Sequence, residues 1–178
     1  MVESKTINAW RPSKLAIDIR RKLTTPGRIL DVGTTDPGDI HHFAAHGHQV
    51  SSFNPDAMKV NVIGTSFLPM PIERYLGEEQ YSAVVVKGVL NAFDLVDMEE
   101  IVVASAYAVN VGGFLGIQHP VEGSHDGYRY RHDYEKIIDI ARDNNLELIS
   151  QEMEERPHPR NGGIIYNRAI LQRYSPNN

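Results

Sequence analysis

Short apolar segments alternate with helix-forming segments along this chain, and this alternation constrains the fold more than any other feature of the sequence. The apolar runs predict strands at 28–32, 49–53, 60–63, 81–86, 114–117, 146–151 and 164–174. Helical spacing and capping residues predict helices at 13–23, 39–46, 97–108 and 134–141. Strands that alternate with helices predict βαβ units and a parallel sheet. The last two strands follow one another without a helix, which favours an antiparallel pair at one edge.

The length of 178 residues predicts one domain, which we divide into an N-terminal helical extension at 1–26 and an α/β domain at 27–178. The absence of cysteine excludes a disulfide framework, a thiolate metal site and a cysteine nucleophile. Without a signal-peptide pattern or an apolar run of membrane-spanning length, we expect a cytoplasmic protein with no membrane partner. A net charge of −5 gives no general attraction to nucleic acid.

The first strand runs directly into Gly33, and the next helix begins near Gly38. In open α/β sheets, ligands bind beyond the carboxyl ends of the strands, where the strand order reverses. Gly33 allows a tight turn against a ligand, Gly38 allows close packing of helix on strand, and the free N–H groups at the helix start can bind a polar group. An ordinary βα turn uses the same residue types, so the loop by itself leaves both interpretations open.

Four segments occur in a characteristic order along the chain. They read Arg28-Ile-Leu-Asp-Val-Gly33, Phe43-Ala-Ala-His-Gly-His-Gln-Val50, Tyr81-Ser-Ala-Val-Val-Val86 and Asn110-Val-Gly-Gly-Phe-Leu-Gly-Ile117. In this order and spacing, residues 28–174 resemble the class I S-adenosylmethionine-dependent methyltransferases. The resemblance implies a single-domain Rossmann-like α/β fold, with a mostly parallel seven-stranded sheet, helices on both faces and an antiparallel last strand. It also implies methyl transfer from S-adenosylmethionine to a small molecule or an exposed side chain.

The resemblance further implies which residues contact the cofactor. Those positions are occupied by Asp31, Gly33, Thr34, Thr35, Gly38, Asn54, Thr65 and Ser66. Asp31 and Gly33 correspond to the methionine end of the cofactor. Asn54 stands where the family usually has an acidic residue for the ribose, and the predicted loop at 64–71 stands where the family contacts the adenine amine.

Two residues are candidates for catalysis because they follow strands that end at the same predicted edge of the sheet. His119 follows the fifth strand and can act as a general base on a hydroxyl or amine, or can hydrogen-bond a neighbouring loop. Lys87 follows the fourth strand and can orient an acidic substrate, or can solvate the strand end.

Departures from the family pattern support a rival hypothesis. Thr35, Asn54 and Thr65 differ together from the usual cofactor-binding residues, as expected for a catalytically inactive methyltransferase-like domain that acts as a binding or assembly module. A nicotinamide-binding domain fits less well because the Gly-x-Gly-x-x-Gly turn is absent.

Two other ligand classes are also considered. The aromatic and basic residues at 123–132 could stack on a nucleotide or RNA end, although the net charge favours a small-molecule acceptor. His42 and His46 lie four residues apart, but no nearby carboxylate completes a metal motif, so we predict no metal site.

Overall fold

The computed structural model describes residues 11–33, 37–53, 65–67, 80–121, 130–156 and 164–175. Within these ranges the helices are α1 (Lys14–Lys22), α2 (Gly38–Ala45), α3 (Leu95–Ala108) and α4 (Tyr134–Asp143). The strands are β1 (Arg28–Val32), β2 (Gln49–Phe53), β3 (Thr65–Phe67), β4 (Tyr81–Lys87), β5 (Val109–Pro120), β6 (Leu146–Arg156) and β7 (Ile164–Arg173). A short 3-10 turn, Leu90–Ala92, joins β4 to α3.

The described strands form one seven-stranded sheet in the order β3-β2-β1-β4-β5-β7-β6. Neighbouring strands from β3 to β5 are parallel, whereas β7 lies antiparallel between β5 and β6. The predicted seven-stranded sheet with an antiparallel last strand is therefore confirmed. Strand order reverses between β1 and β4, so the carboxyl ends of these two strands mark the expected ligand site.

Helices cover both faces of the sheet, as predicted. The strands are apolar on both sides, which suits a sheet buried between two helical layers. On one face α3 and α4 pack over Leu30, Val84, Val86, Leu115 and Ile117. On the other face α1 and α2 pack over residues that alternate with these, Ile29, Ala83, Val85, Phe114 and Ile170.

Helix α1 packs directly on the sheet. Its N-cap is Ser13, as predicted, and its buried side chains include Leu15 and Ile19. A Cβ atom built on Gly116 of β5 would lie 2.3 Å from Cδ1 of Ile19 and 3.1 Å from Cδ1 of Leu15. Glycine at this position therefore allows the helix to approach the strand closely. The domain division at residue 26 stays a prediction.

Some predicted boundaries are wrong. Residues 65–67 were expected in a loop, but they form β3, paired in parallel with Val50–Ser52 of β2; the predicted strand at 60–63 lies outside the described residues. Helix α3 begins earlier than predicted because Asp94 is its N-cap and accepts hydrogen bonds from Val96 and Asp97. Strand β5 is longer than predicted because an irregularity in its pairing with β4 accommodates the stretch around Gly112, where φ is +81°. Within the described ranges, no helix has both the length and the apolar character needed to cross a membrane.

Candidate functional site

The carboxyl ends of β1 and β4 lie side by side, and each strand is followed by a glycine in the left-handed region. Gly33 has φ +88° and Gly88 has φ +66°. Asp31 lies on β1, opposite Val85 of β4, and its side chain is buried. A Cβ atom built on Gly88 would meet no atom within 4 Å, so the backbone is open to an approaching group at this position. A buried carboxylate and two tight turns therefore meet at the switch point of the sheet.

Glycine is required at position 33 by the side chain packed against it as well as by its backbone angle. A Cβ atom on Gly33 would lie 2.2 Å from Cβ of Val89, the residue that precedes the 3-10 turn. The loops that follow β1 and β4 are thus in contact. A side chain at position 33 would push these loops apart before it reached a ligand, so substitution of Gly33 does not report on ligand binding alone.

Lys87 ends β4 and forms an ion pair with Asp39 in the first turn of α2. Asp39 is 1% exposed, and its carboxylate also accepts hydrogen bonds from the Ser13 N–H at 2.5 Å and the Ser13 hydroxyl at 2.8 Å. The pair lies on the face of the sheet that α1 and α2 cover. Because its charge is balanced inside the protein, Lys87 provides less electrostatic attraction for an acidic substrate than a free lysine would.

His119 lies near the end of β5 on the opposite face, where its backbone pairs with Asn167 of β7. The side chain is 2% exposed, and its Nδ1 atom has no hydrogen-bond partner in the part of the chain that the structure describes. Burial lowers the pKa of His119 to about 4, with a smaller contribution from the nearby His132. The imidazole is therefore uncharged at neutral pH and can accept a proton or a hydrogen bond.

The 3-10 turn brings a second unpartnered group to this region. Asn91 is 5% exposed, and its side-chain Oδ1 atom has no hydrogen-bond partner within the described ranges. Nε2 of His132 lies 3.1 Å from the carbonyl oxygen of Leu90 and 2.9 Å from that of Phe93, on either side of Asn91. The ring of His132 is 6.0 Å from that of His119, centroid to centroid. His132 therefore contacts both His119 and the turn that carries Asn91.

Asn91 stands between β4 and α3, where an asparagine can cap the helix or contact a substrate. The cap of α3 is Asp94 instead, which releases Asn91 from that role. The contact between His132 and the turn joins residues about forty positions apart in the chain. Local sequence patterns therefore gave no signal for it.

The remaining predicted site residues differ in how far the structure describes them. Gly38 is the first residue of α2 and is buried. Thr65 and Ser66 lie in β3 rather than in a loop. Thr34, Thr35 and Asn54 lie outside the described residues. Among the described residues, no group of three metal-ligating side chains could hold a metal ion.

A cavity of about 360 Å³ lies at the opposite, amino-terminal edge of the sheet. It is lined by the end of α1, the start of β4 and the stretch of β5 from Asn110 to Phe114. Ligands of open α/β sheets bind at the carboxyl edge, so this cavity is separate from the candidate site.

The fold was compared with known proteins. No family model and no curated protein matches the sequence. Among solved structures, the chain is similar to 1,6-didemethyltoxoflavin-N1-methyltransferase from Burkholderia thailandensis, with a TM-score of 0.68 and 15% identity over 90% of this chain and 77% of that one. It is also similar to the N-methyltransferase NodS from Bradyrhizobium japonicum WM9, with a TM-score of 0.67 and 14% identity over 88% and 94% of the two chains. A third similar structure is a putative sarcosine dimethylglycine methyltransferase from Galdieria sulphuraria, with a TM-score of 0.67 and 12% identity over 90% and 84%.

The chain has the fold of the class I S-adenosylmethionine-dependent methyltransferases. The resemblance drawn from the sequence is confirmed at the level of the fold. Structures of the Burkholderia and Bradyrhizobium enzymes contain S-adenosylhomocysteine, the demethylated form of the methyl donor.

The described residues at the carboxyl edge have chemical groups that suit such a cofactor. Asp31 supplies a carboxylate acceptor, and the open backbone at Gly88 leaves room beside it. On the other face of the sheet, at the same edge, the buried Nδ1 atom of His119 has no partner among the described residues and is available to a ligand.

Proposed function

We propose that the protein is an S-adenosylmethionine-dependent methyltransferase acting on a small molecule. The observation that carries the proposal is the junction of the Asp31-x-Gly33 turn with the open backbone at Gly88, at the switch point of a sheet with methyltransferase strand order. The similar structures support it, because the named enzymes transfer methyl groups on the same architecture. The expected cytoplasmic location stays a prediction.

In this proposal the residues at the carboxyl end of β1 bind the cofactor. Asp31, Gly33 and Gly38 bind its methionine end, together with Thr34 and Thr35 in the loop between them. A buried carboxylate such as Asp31 is a strong acceptor for an ammonium group. When bound, the cofactor supplies an electrophilic methyl group on a sulfonium.

In this proposal, residues in or directly after β2 and β3 bind the ribose and the adenine of the cofactor. We assign the ribose to Asn54, which follows β2, and the adenine to Thr65 and Ser66, whose backbone runs beside β2. Asn54 offers one acceptor and one donor, whereas an acidic residue offers two charged acceptors. We therefore expect replacement of Asn54 by aspartate to tighten cofactor binding.

His119 is the residue that receives a proton in this proposal. Its imidazole is neutral and buried, and its Nδ1 atom is unpartnered, so it can accept the proton that an N–H or O–H nucleophile loses. Lys87 was predicted as a catalytic residue. We now assign it a positioning role, because its ammonium group holds the start of α2 through Asp39.

Titration calorimetry with S-adenosylhomocysteine tests the proposal. We expect binding by the wild-type protein and roughly tenfold weaker binding by Asp31→Asn, since a charge-assisted hydrogen bond is lost. Asp18→Asn is a matched control, because Asp18 of α1 pairs with Arg168 of β7, away from the carboxyl end of β1. The absence of binding at millimolar ligand, or equal loss in both variants, would refute the proposal.

A non-catalytic binding or assembly module is the second candidate. The Lys87–Asp39 ion pair favours it, because the pair balances the charge of a predicted catalytic lysine within the protein. A folded protein that does not bind S-adenosylhomocysteine is the result this alternative expects.

A further inference from the structure

Two buried polar atoms at the carboxyl edge have no hydrogen-bond partner among the described residues. They are Oδ1 of Asn91 and Nδ1 of His119, in side chains that are 5% and 2% exposed. Buried polar atoms are nearly always hydrogen-bonded, because a buried polar group that makes no bond loses its hydration without compensation. His132 contacts both elements that carry these atoms, since its Nε2 lies beside the carbonyl oxygens of Leu90 and Phe93 in the turn and its ring lies 6.0 Å from that of His119.

The character of these atoms specifies what the ligand must present. An amide oxygen accepts hydrogen bonds, and so does Nδ1 of a neutral histidine whose proton lies on Nε2. Low pKa keeps His119 neutral at physiological pH. Nε2 of His132 is turned toward two carbonyl oxygens, which lie 3.1 and 2.9 Å away, so it points to the protein backbone. When the proton of His119 lies on Nε2, a ligand here meets two acceptors.

The charge of the surroundings narrows the ligand further. A carboxylate would face two acceptors; among the described cations, Lys87 lies on the other face and is paired with Asp39, and Arg131, beside His132 in the sequence, is exposed. An ammonium group would need a carboxylate to replace its hydration. Asn91, His119, His132 and Tyr130, whose ring stacks on His132 at 6.4 Å, include none, and Asp133 is exposed. An uncharged ligand with two hydrogen-bond donors satisfies both unpartnered atoms without burying a charge.

We propose that the methyl acceptor is an uncharged nitrogen compound, an amide, lactam or amino-heterocycle, that donates one hydrogen bond to Oδ1 of Asn91 and one to Nδ1 of His119. This inference rests on the proposed methyl transfer for calling the ligand an acceptor. The two unpartnered atoms alone carry the recognition chemistry. Asn91 is then a specificity-determining residue that the sequence left unassigned.

The test uses isocytosine as the probe, because its ring N–H and exocyclic amino group present two adjacent donors. NMR titration of the protein without cofactor should show millimolar binding. Asn91→Leu and His119→Phe should each weaken binding about fivefold or more, because each removes one hydrogen bond. His119→Asn should retain binding, since its amide oxygen can take the place of Nδ1. Benzoate and tetramethylammonium should not bind.

Thermal melting separates this role from a structural one. Replacing an unpartnered buried polar group by an apolar group of similar size removes a desolvation cost, so Asn91→Leu and His119→Phe should leave the melting temperature unchanged or raised. Ser105→Ala is the matched control: its buried hydroxyl in α3 also has no partner, so the variant should melt like the others and bind isocytosine like the wild type.

Three results would overturn the proposal. They are the absence of isocytosine binding, equal binding by Asn91→Leu and the wild type, and a lowered melting temperature in both apolar variants. Nitrogen NMR that places the proton of His119 on Nδ1 would overturn it as well. S-adenosylhomocysteine is titrated in parallel. If it fails to bind while isocytosine behaves as expected, the proposed methyl transfer is refuted, but the ligand site at Asn91 and His119 is supported.

Discussion

Protonation of His119 should make the stability of the protein fall steeply in mild acid. Burial lowers the pKa of His119 to about 4 in the folded protein, whereas an unfolded histidine titrates near 6.5. Between these values the unfolded chain binds the proton and the folded chain does not, so the free energy of unfolding decreases as the pH falls. From about pH 7.5 to about pH 5, linkage gives a loss of about 2 kcal/mol from this one residue.

The variant His119→Asn removes the titrating group and keeps a polar side chain. Urea denaturation at the two pH values should therefore show that the wild type loses about 2 kcal/mol more than the variant. Burial also lowers the pKa of His42 and His48, but both residues are present in both proteins and their contributions cancel in the difference. His41→Asn, at an exposed position, should keep the wild-type difference. Equal losses in the wild type and His119→Asn would refute the buried, neutral state of His119.

Three further substitutions test how the site is supported. Lys87→Met should lower the free energy of unfolding by about 3–5 kcal/mol, because it leaves the buried Asp39 carboxylate without its cation. In denaturant melts, the double variant with Asp39→Leu should recover much of that loss, and additive effects of the two substitutions would contradict the pairing. Gly116→Val should destabilise the protein by about 1–3 kcal/mol by colliding with Cδ1 of Ile19, and Ile19→Val should partly rescue it; no rescue would argue against the contact. Arg173→Met should cost about 1–3 kcal/mol, because its guanidinium donates to the carbonyl oxygens of Ala106, Tyr107 and Val109 at the end of α3; unchanged stability would contradict this capping role.

The sequence predicts the central strands well because their signal is local. Strands β1 and β2 lie where predicted, since each is a short run bounded by glycine, proline or asparagine. Strand β3 was missed because three residues carry no periodicity, and its pairing with β2 stabilises it from a distance. Helix α3 was placed too late because two acidic residues compete as caps, and the choice of Asp94 depends on where the 3-10 turn ends.

The candidate site divides in the same way. Asp31, Gly33 and His119 could be selected from their places beside strand ends. The partner of Lys87 could not, because Asp39 lies in another βα unit and meets Lys87 only when α2 packs beside β4. The importance of Asn91 is equally hidden in the sequence, since an unpartnered amide is defined by all the side chains around it.

Amide NMR with S-adenosylhomocysteine tests the central claim most directly, because glycines mark both edges of the sheet. Gly33 and Gly88 lie at the carboxyl edge, and Gly112 and Gly113 line the cavity at the amino edge. We predict that the ligand shifts the amide signals of Gly33 and Gly88 and leaves those of Gly112 and Gly113 in place. Shifts confined to Gly112 and Gly113, or no shifts at millimolar ligand, would contradict the proposal that this protein is a methyltransferase.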